Sequence, residues 1–578
     1  MSYDRPVQAL LAHLQSLPGI ARLPGLPPEA AIDEAVIDEA MLGDILASAG
    51  KLAHDVLAPF NRFADRHGPC LVNGRVKTAA GHREAWAAFV EGGWTTIEAP
   101  TAYGGAGLPM AVHAACEELF NRAAPAFGML ATPIRCAVRL LAQYADGAIK
   151  AEWLPRLVAG AWGATICISE AEAGSDVPRL RTCASPREDG SWSVSGEKMW
   201  ISYGDHDLTE RIGHLVLART PGAPAGAAGL SLFLVPSAIE GRANGVVVRR
   251  LEEKLGMHGS PTCELGFADA RGWMIGTPHR GLSQLFTMII GMRLSVGSQG
   301  AGLAGAAADM AWAYAAERRQ GGRPDQPPVA IEAHGDVQRM LLACGARAEV
   351  ARALVLVAAM VSDQQARASR AEARAEAGDL LAWLLPITKN FCAEAASLCA
   401  SEAVQVLGGA GYTREWPAEQ YLRDARVLAI YEGTSGMQAL DLLMRRVLGE
   451  EGRSYRAFVQ KARAEVGEAA DGWAGGQLAQ VLDRLEAATA ELAEAGRDGP
   501  WCKAVAYPYL QLASLATTGW VALRLTGLGG SPVRQRIAAL AGHWLRLLPA
   551  MAAGAASEVG LGRDLTGAFA AARAGFEG

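Results

Sequence analysis

The sequence predicts an α+β multidomain chain: an N-terminal helical domain, a middle β domain, a second helical domain and an extra helical C-terminal domain. Three observations carry this. Up to about residue 160, apolar residues recur three and four apart with acids and bases between them. From Gly163 the pattern shifts to short alternating or β-rich runs separated by Gly, Pro, Asp and Ser clusters. After Arg280 it returns to long amphipathic helix and stays there. The expected boundaries are 1–162, 163–275, 276–450 and 451–578.

In the first segment the spacing predicts helices over Ala30–Phe63, His82–Val90, Ala111–Arg122 and Ala137–Val158, with Ala99–Pro109 a glycine-rich loop. Seven strands follow: Ala164–Ser169, Trp192–Ser195, Lys198–Ser202, His214–Ala218, Leu230–Val235, Val246–Arg249 and Cys263–Phe267. That number suits a compact β domain of about 100 residues. Helices return over Gly281–Arg319, Ala330–Arg374, Asp379–Leu407 and Ala439–Val447, the first two separated by the loop Gly321–Pro328. The charged run Gln364–Glu376 reads as a solvated helix face. In the last segment Val505–Leu523 and Ala539–Ser557 are apolar enough to raise membrane insertion. Pro508, Gln511, Gly519, His543 and Arg546 interrupt them, so buried bundle helices are expected and membrane association is not.

The chain has 578 residues, about four domains' worth at roughly 150 each. Half of it is apolar, a fifth is charged and the net charge is −6, which excludes a disordered chain and speaks against nucleic acid as a partner. The ten cysteines are scattered, with no CxxC and no Cys/His set at zinc spacing, so isolated buried thiols and no metal are expected. The first twenty residues lack a basic stretch followed by an apolar core; a cytoplasmic enzyme is the expectation.

Gly300-Ala-Gly302-Leu-Ala-Gly305 matches the dinucleotide fingerprint, yet it lies inside a helical run with no strand before it, so it reads as small residues at a tight helix crossing. There is no P-loop, HExxH or GxSxG. Longer blocks remain. Cys167–Asp176 (CISEAEAGSD) leaves the first strand through a Gly/Ser turn whose amides suit a phosphate or flavin edge, or make an ordinary connection. In Gly196–Ser202 (GEKMWIS), Trp200 and Ser202 alternate on a strand and point to one face, as a core Trp or as an aromatic plane beside a hydroxyl. Gln405–Tyr412 (QVLGGAGY) ends a helix in glycines. Tyr421–Arg426 (YLRDAR) leads to Ile430–Gly436 (IYEGTSG), where an acid among small and apolar neighbours suits a base of raised pKa.

In this order and at these intervals, together with Pro100–Gly107 (PTAYGGAG), Glu253–Ser260 (EKLGMHGS) and Ala316–Gln320 (AERRQ), the blocks resemble the acyl-CoA dehydrogenase family from about residue 40 to 450. The phrase Ile430–Leu440 and the helical tail look like its larger bacterial subgroup, which includes long-chain fatty acyl-CoA and 3-methylmercaptopropionyl-CoA dehydrogenases. The resemblance implies an FAD enzyme with a C-terminal four-helix bundle. Such an enzyme converts an acyl-CoA to its trans-2-enoyl-CoA and passes electrons to electron-transfer flavoprotein.

By position in the motifs, Glu432 matches the base that removes the α-proton while flavin N5 takes the β-hydride, with the Glu432 N–H and a ribityl hydroxyl on the thioester oxygen. Ile168, Ser169, Gly174 and Ser175 match the flavin and pyrophosphate strand and turn, Trp200 the aromatic packed on the isoalloxazine, and Ser202 the hydroxyl reaching N5. Arg318, Gln320, Gln405, Gly408 and Gly409 match contacts to the FAD of a neighbouring subunit, and Thr434 a cofactor contact after the base. Arg293, Ser175 and Gly433 fall on the substrate side. Shared sites imply a homodimer in preference to a tetramer. The acyl pocket is expected from Ala124–Arg139 and Leu282–Met292. Two departures stand out: Gln320 is followed by Gly321-Gly322, and Glu170 lacks the usual following Pro. The rival readings are an acyl-CoA oxidase using O2 and a DNA-associated, non-catalytic relative.

Overall fold

The computed structural model describes residues 3–16, 38–469, 471–496, 500–574 and 576. The start of the expected Ala30–Phe63 helix, residues 30–37, lies outside the described residues. The chain divides into two compact units, one of residues 48–109 and 119–295, the other of residues 2–47, 110–118 and 296–578.

Helices and a hairpin come first: α1 (Asp4–Ser16), α2 (Glu39–Leu52), α3 (Ala58–His67), β1 (Cys70–Val72), β2 (Arg75–Lys77), α4 (His82–Glu91), α5 (Met110–Ala123), α6 (Pro125–Tyr144) and α7 (Gly147–Val158). The expected Ala137–Val158 helix is two helices. Asp146 caps α7 by accepting from Ile149 N at 2.8 Å, and the chain turns there. The hairpin went unpredicted because each of its strands has only three residues. Asp205 binds it, accepting from Val76 N (2.7 Å) and Arg75 Nε (2.9 Å).

The sheet comprises β3 (Trp162–Cys167), β4 (Cys183–Pro186), β5 (Trp192–Ser202), β6 (Arg211–Arg219), β7 (Leu230–Pro236), β10 (Val246–Leu251) and β11 (Thr262–Ile275), with β8 (Ala238–Ile239) and β9 (Arg242–Ala243) a separate small hairpin. Its order is β10-β11-β5-β4-β6-β3, and β7 pairs with both β6 and β11, closing β11-β5-β4-β6-β7 into a ring. Val194, Ile201, Val216, Phe233, Leu265 and Phe267 are among the buried residues of its core. The two strands expected within 192–202 are one, bulged rather than broken, and β4 was missed because it is short and largely exposed.

The second half holds α8 (Gly281–Glu317), α9 (Gly335–Arg367), α10 (Ala371–Leu407), α11 (Ala418–Arg426), α12 (Ser435–Leu440), α13 (Arg453–Glu468), α14 (Gly472–Ala495), α15 (Pro500–Ala504), α16 (Ala506–Thr526), α17 (Pro532–Leu561) and α18 (Leu565–Ala574). The charged run Gln364–Glu376 is not one helix face. Ala368 and Arg370 are extended, and Arg374 donates to the Ala368 and Ser369 carbonyls across the turn between α9 and α10. Alanines of α8, α9 and α10 share a core with Met310, Met340 and Leu341.

The tail helices pack on this core. Trp383 of α10 is fully buried, stacks on Phe458 (centroids 4.9 Å apart) and donates to Thr517 Oγ1 at 3.0 Å. Helix α16 is buried along most of its length, as expected of a bundle helix. Among the described residues no helix is long and apolar enough to cross a membrane. At the other end of the sequence, α1 lies against α9 and α17. All ten cysteines are free, but not all are buried and isolated as expected. Cys70 and Cys183 are exposed, and the Cys344 and Cys399 thiols each face the other's carbonyl.

Candidate active site

The expected site residues fall into both units, and each half has its own construction. In the sheet-bearing unit, β3 ends at Cys167 and the chain passes Ile168 and Ser169, both half-buried, before the exposed turn holding Gly174 and Ser175. Met199 N donates to Ser169 O at 2.9 Å, which brings that segment beside Trp200 and Ser202 of β5. Simple alternation does not present these two. Opposite β11, Ile201 pairs with Cys263 but Lys198 with Leu265, so an extra residue is accommodated and Trp200 takes φ 63°. The bulge turns Trp200 outward to 56% exposure while Ile201 stays in the core. A flat aromatic face held out of a sheet, with a half-buried hydroxyl two residues on, fits a planar ring system such as a flavin.

Lys198 is fully buried, and its role was not read from the motif containing it. Its Nζ donates to Ile168 O (2.9 Å) and to Glu170 Oε1 (2.8 Å). Burial pushes the ammonium below the usual lysine range against the pull of Glu170. Burial would raise the Glu170 carboxyl, but Lys198, Thr182 and the Arg181 N–H outweigh it and hold it low. Four donors thus fix the Glu170 carboxylate, so the missing proline leaves a turn that is anchored by other means.

The segments expected to line the acyl pocket do meet in this unit. An added Cβ on Gly291 of α8 would lie 2.9 Å from Cys136 Sγ of α6. Between them sits a buried ion cluster that the sequence reading missed. Arg135 donates to Glu98 Oε1 (2.7 Å) and to Ser295 Oγ, and Arg139 pairs with the other Glu98 oxygen. Arg293, in α8, is half-buried.

In the helical unit Glu432 is half-buried at φ 53°, followed by Gly433 at φ 87°. Two consecutive left-handed residues, one carrying a side chain, store strain of ~1–3 kcal/mol that the surroundings must hold. Side chains from two helices hold the carbonyls of this pair. Lys389 Nζ donates to Gly433 O at 2.8 Å, and Gln438 Nε2 donates to both Glu432 O and Gly433 O at 3.1 Å. The Tyr431 hydroxyl donates to Gln299 Oε1. Burial, then Glu432 and Glu117, push its phenol well above the usual tyrosine range, so it stays a neutral donor. Thr434 caps α12, its Oγ1 accepting from Met437 N at 3.3 Å.

The other expected cofactor residues of this unit are at its surface. Arg318 and Gln320 follow α8 in an exposed loop closed by Gln320 N donating to Val329 O (2.9 Å). Gly321 and Gly322 turn that loop at φ 76° and 92°, which accounts for the glycine pair after Gln320. Gln405, Gly408 and Gly409 are exposed at the end of α10, where Gly408 takes φ 62°.

Family models for the acyl-CoA dehydrogenase N-terminal, middle and C-terminal domains match residues 53–161, 165–270 and 279–448. The chain is 38% identical over 535 residues to 3-methylmercaptopropionyl-CoA dehydrogenase of Ruegeria pomeroyi, with 90% of each covered. It is 33% identical over 545 residues to the broad-specificity linear acyl-CoA dehydrogenase FadE5 of Mycobacterium tuberculosis, covering 90% of this chain and 86% of that one. Its fold matches an acyl-CoA dehydrogenase of Bacillus anthracis complexed with FAD at TM-score 0.75 and 20% identity, covering 95% and 91%. ACDH-11 of Caenorhabditis elegans in complex with C11-CoA matches at TM-score 0.75 and 21% identity, covering 92% and 90%. Three domain matches in order, on a helix–sheet–helix chain whose blocks carry the motifs, give one conclusion: the chain belongs to the acyl-CoA dehydrogenase family.

Proposed function

We propose that the chain dehydrogenates an acyl-CoA thioester between its α and β carbons, with Glu432 as the base that takes the α-proton. The observation that carries the reading is the construction at Glu432: a carboxylate residue held in a left-handed backbone whose two carbonyls are pinned by side chains of α10 and α12. An α-proton is weakly acidic, so the base must be placed within reach of it and the thioester oxygen must meet a donor as enolate charge develops. Glu432 supplies both functions in this reading, the carboxylate as base and its own N–H as donor. Gly433 leaves room beside it for the substrate.

FAD, bound along Ile168, Ser169, Gly174 and Ser175, supplies the two-electron acceptor. The outward indole of Trp200 and the Ser202 hydroxyl fit its ring system, and Thr434 lies two residues after the base. The exposure of Arg318, Gln320, Gln405, Gly408 and Gly409 supports a homodimer in which they reach the cofactor of the neighbouring copy. Arg293 belongs to the substrate side, and electron-transfer flavoprotein is the electron acceptor we assign.

The test is Glu432→Gln, followed by anaerobic flavin reduction with saturated acyl-CoAs of increasing length. We expect unchanged flavin content and thioester binding, with reduction slowed by ~10²–10⁴-fold. A variant reduced at a near-normal rate removes Glu432 from the chemistry.

A further inference from the structure

We infer that Lys389 is a positioning residue for this reaction, setting the direction of the Glu432 carboxylate by holding the loop on which it sits. The inference rests on the reading of Glu432 as the base. Lys389 lies in the middle of α10, is fully buried, and directs its Nζ to Gly433 O at 2.8 Å. Lysine is almost never buried completely without a partner that needs it. Here one partner is a backbone carbonyl one residue beyond the base.

The loop explains the need. Glu432 is in the left-handed region, where a residue with a Cβ is strained, and Gly433 continues in it. Such a pair persists only if the following peptide is held from outside. Gly433 O accepts from Lys389 and from Gln438, and Gln438 also takes Glu432 O. Thr434 then starts α12 as its cap, so the loop is tied immediately after these two residues. Removing the lysine donor leaves Gly433 O to Gln438 alone and loosens the 433–434 peptide toward a relaxed conformation. The side chain of Glu432 swings with it.

This predicts a particular kinetic signature. A residue that only packs lowers stability, whereas one that aims a base lowers the chemical rate while leaving ground-state binding alone. In the full-length flavin-loaded enzyme, reduced anaerobically with octanoyl-CoA, Lys389→Met is expected to keep its flavin and bind the thioester within ~3-fold of wild type, yet be reduced ~10²-fold more slowly. Lys389→Arg, which restores a donor at that position, recovers most of the lost rate. Gln438→Leu removes the second donor to the same carbonyls and gives the same split, smaller in size, so the inference stays testable if Lys389→Met does not fold. Lys389→Met and Gln438→Leu both reduced at wild-type rates, beside a Glu432→Gln variant that is not, would overturn the inference and leave the base in place. A Glu432→Gln variant that is reduced normally would instead remove the premise.

Discussion

The two units differ in which buried ionisable groups dominate them. Beside its Arg135–Glu98 and Lys198–Glu170 pairs, the sheet-bearing unit buries histidines and keeps them neutral. Burial holds His82 down to about 3, and His206 and His214 to about 4, from the usual 6.5. His214 Nδ1 meets the Thr165 hydroxyl at 2.8 Å. The helical unit buries charges and pairs them. Arg352 of α9 donates to Glu118 of α5 through Nε and Nη2 (2.9 and 2.7 Å) and to Glu349 through Nη1 (2.7 Å). Glu349 also takes His13 of α1 (2.9 Å) and Arg536 of α17 (3.3 Å). Burial would raise the Glu349 carboxyl, but Arg352, His13 and Arg536 outweigh it and hold it far below the ordinary carboxylate range. A cluster in which every partner depends on the others ties the first helix, the bundle and the tail together. Neutral histidines tie nothing by charge and respond to pH alone.

The largest effect should come from breaking the charge cluster. Arg352→Met keeps the shape but leaves Glu118 and Glu349 buried without their shared cation, at a cost of about 3–5 kcal/mol. The denaturant midpoint should fall with the slope unchanged. Adding Glu118→Gln and Glu349→Gln should recover much of the loss. A single variant costing less than ~1 kcal/mol, the range of exposed pairs, would mean that the cluster behaves as a surface network and that the contrast between the units is wrong.

Acid separates the units more gently. A histidine whose folded pKa lies below its unfolded value stays neutral while the unfolded chain takes up protons. Stability is therefore complete above pH 6.5 and lost as the pH falls toward 4. Each of His206 and His214 accounts for up to about 3 kcal/mol across that window. Glu349 has its folded pKa depressed, so its contribution is complete above 4.5 and is lost only below that. His543 in the helical unit is also held low by burial and Arg546, but it is only partly buried and solvent screens it. Hydrogen exchange at pH 5 should thus show β5, β6 and β11 opening before α9 and α10. Simultaneous opening would show one cooperative block in place of two.

What the sequence made legible follows the same division. Periodicity and glycine-bounded runs placed the helical and β regions, and motif order singled out Glu432, Trp200 and the exposed residues proposed to reach FAD. The groups that hold those residues were not legible. Lys389 sits in an apolar helical stretch, Leu385–Cys392, where nothing marks it as facing inward, and Lys198 sits in a recognised motif yet acts on Ile168, thirty residues away. The groups pinning the Glu432 loop were hidden for the same reason: its sequence neighbours are small and apolar, while the donors to its carbonyls come from α10 and α12. The bulge at Trp200 was invisible because alternation is counted along one strand, and a bulge is defined against its partner.

The smallest prediction concerns the glycine fingerprint that the sequence offered falsely. Gly300 lies in α8, fully inside the helix, and a Cβ there would fall 2.5 Å from the Cys392 carbonyl carbon of α10. That obstacle is backbone and cannot rotate away. Gly128 in α6 of the sheet-bearing unit faces the amide end of Asn121, a side chain that can. Alanine gains about 1 kcal/mol of helix propensity at either position, whereas overpacking a fixed backbone costs about 1–3 kcal/mol. Gly300→Ala should therefore be destabilised by up to ~2 kcal/mol, with Gly128→Ala nearer to neutral, and both should retain flavin. If Gly300→Ala instead lost its cofactor at unchanged stability, the fingerprint would be a nucleotide site after all. If the two variants lost stability equally, side-chain and backbone obstacles would be equivalent here. The helical unit would then owe nothing special to the close approach of α8 and α10.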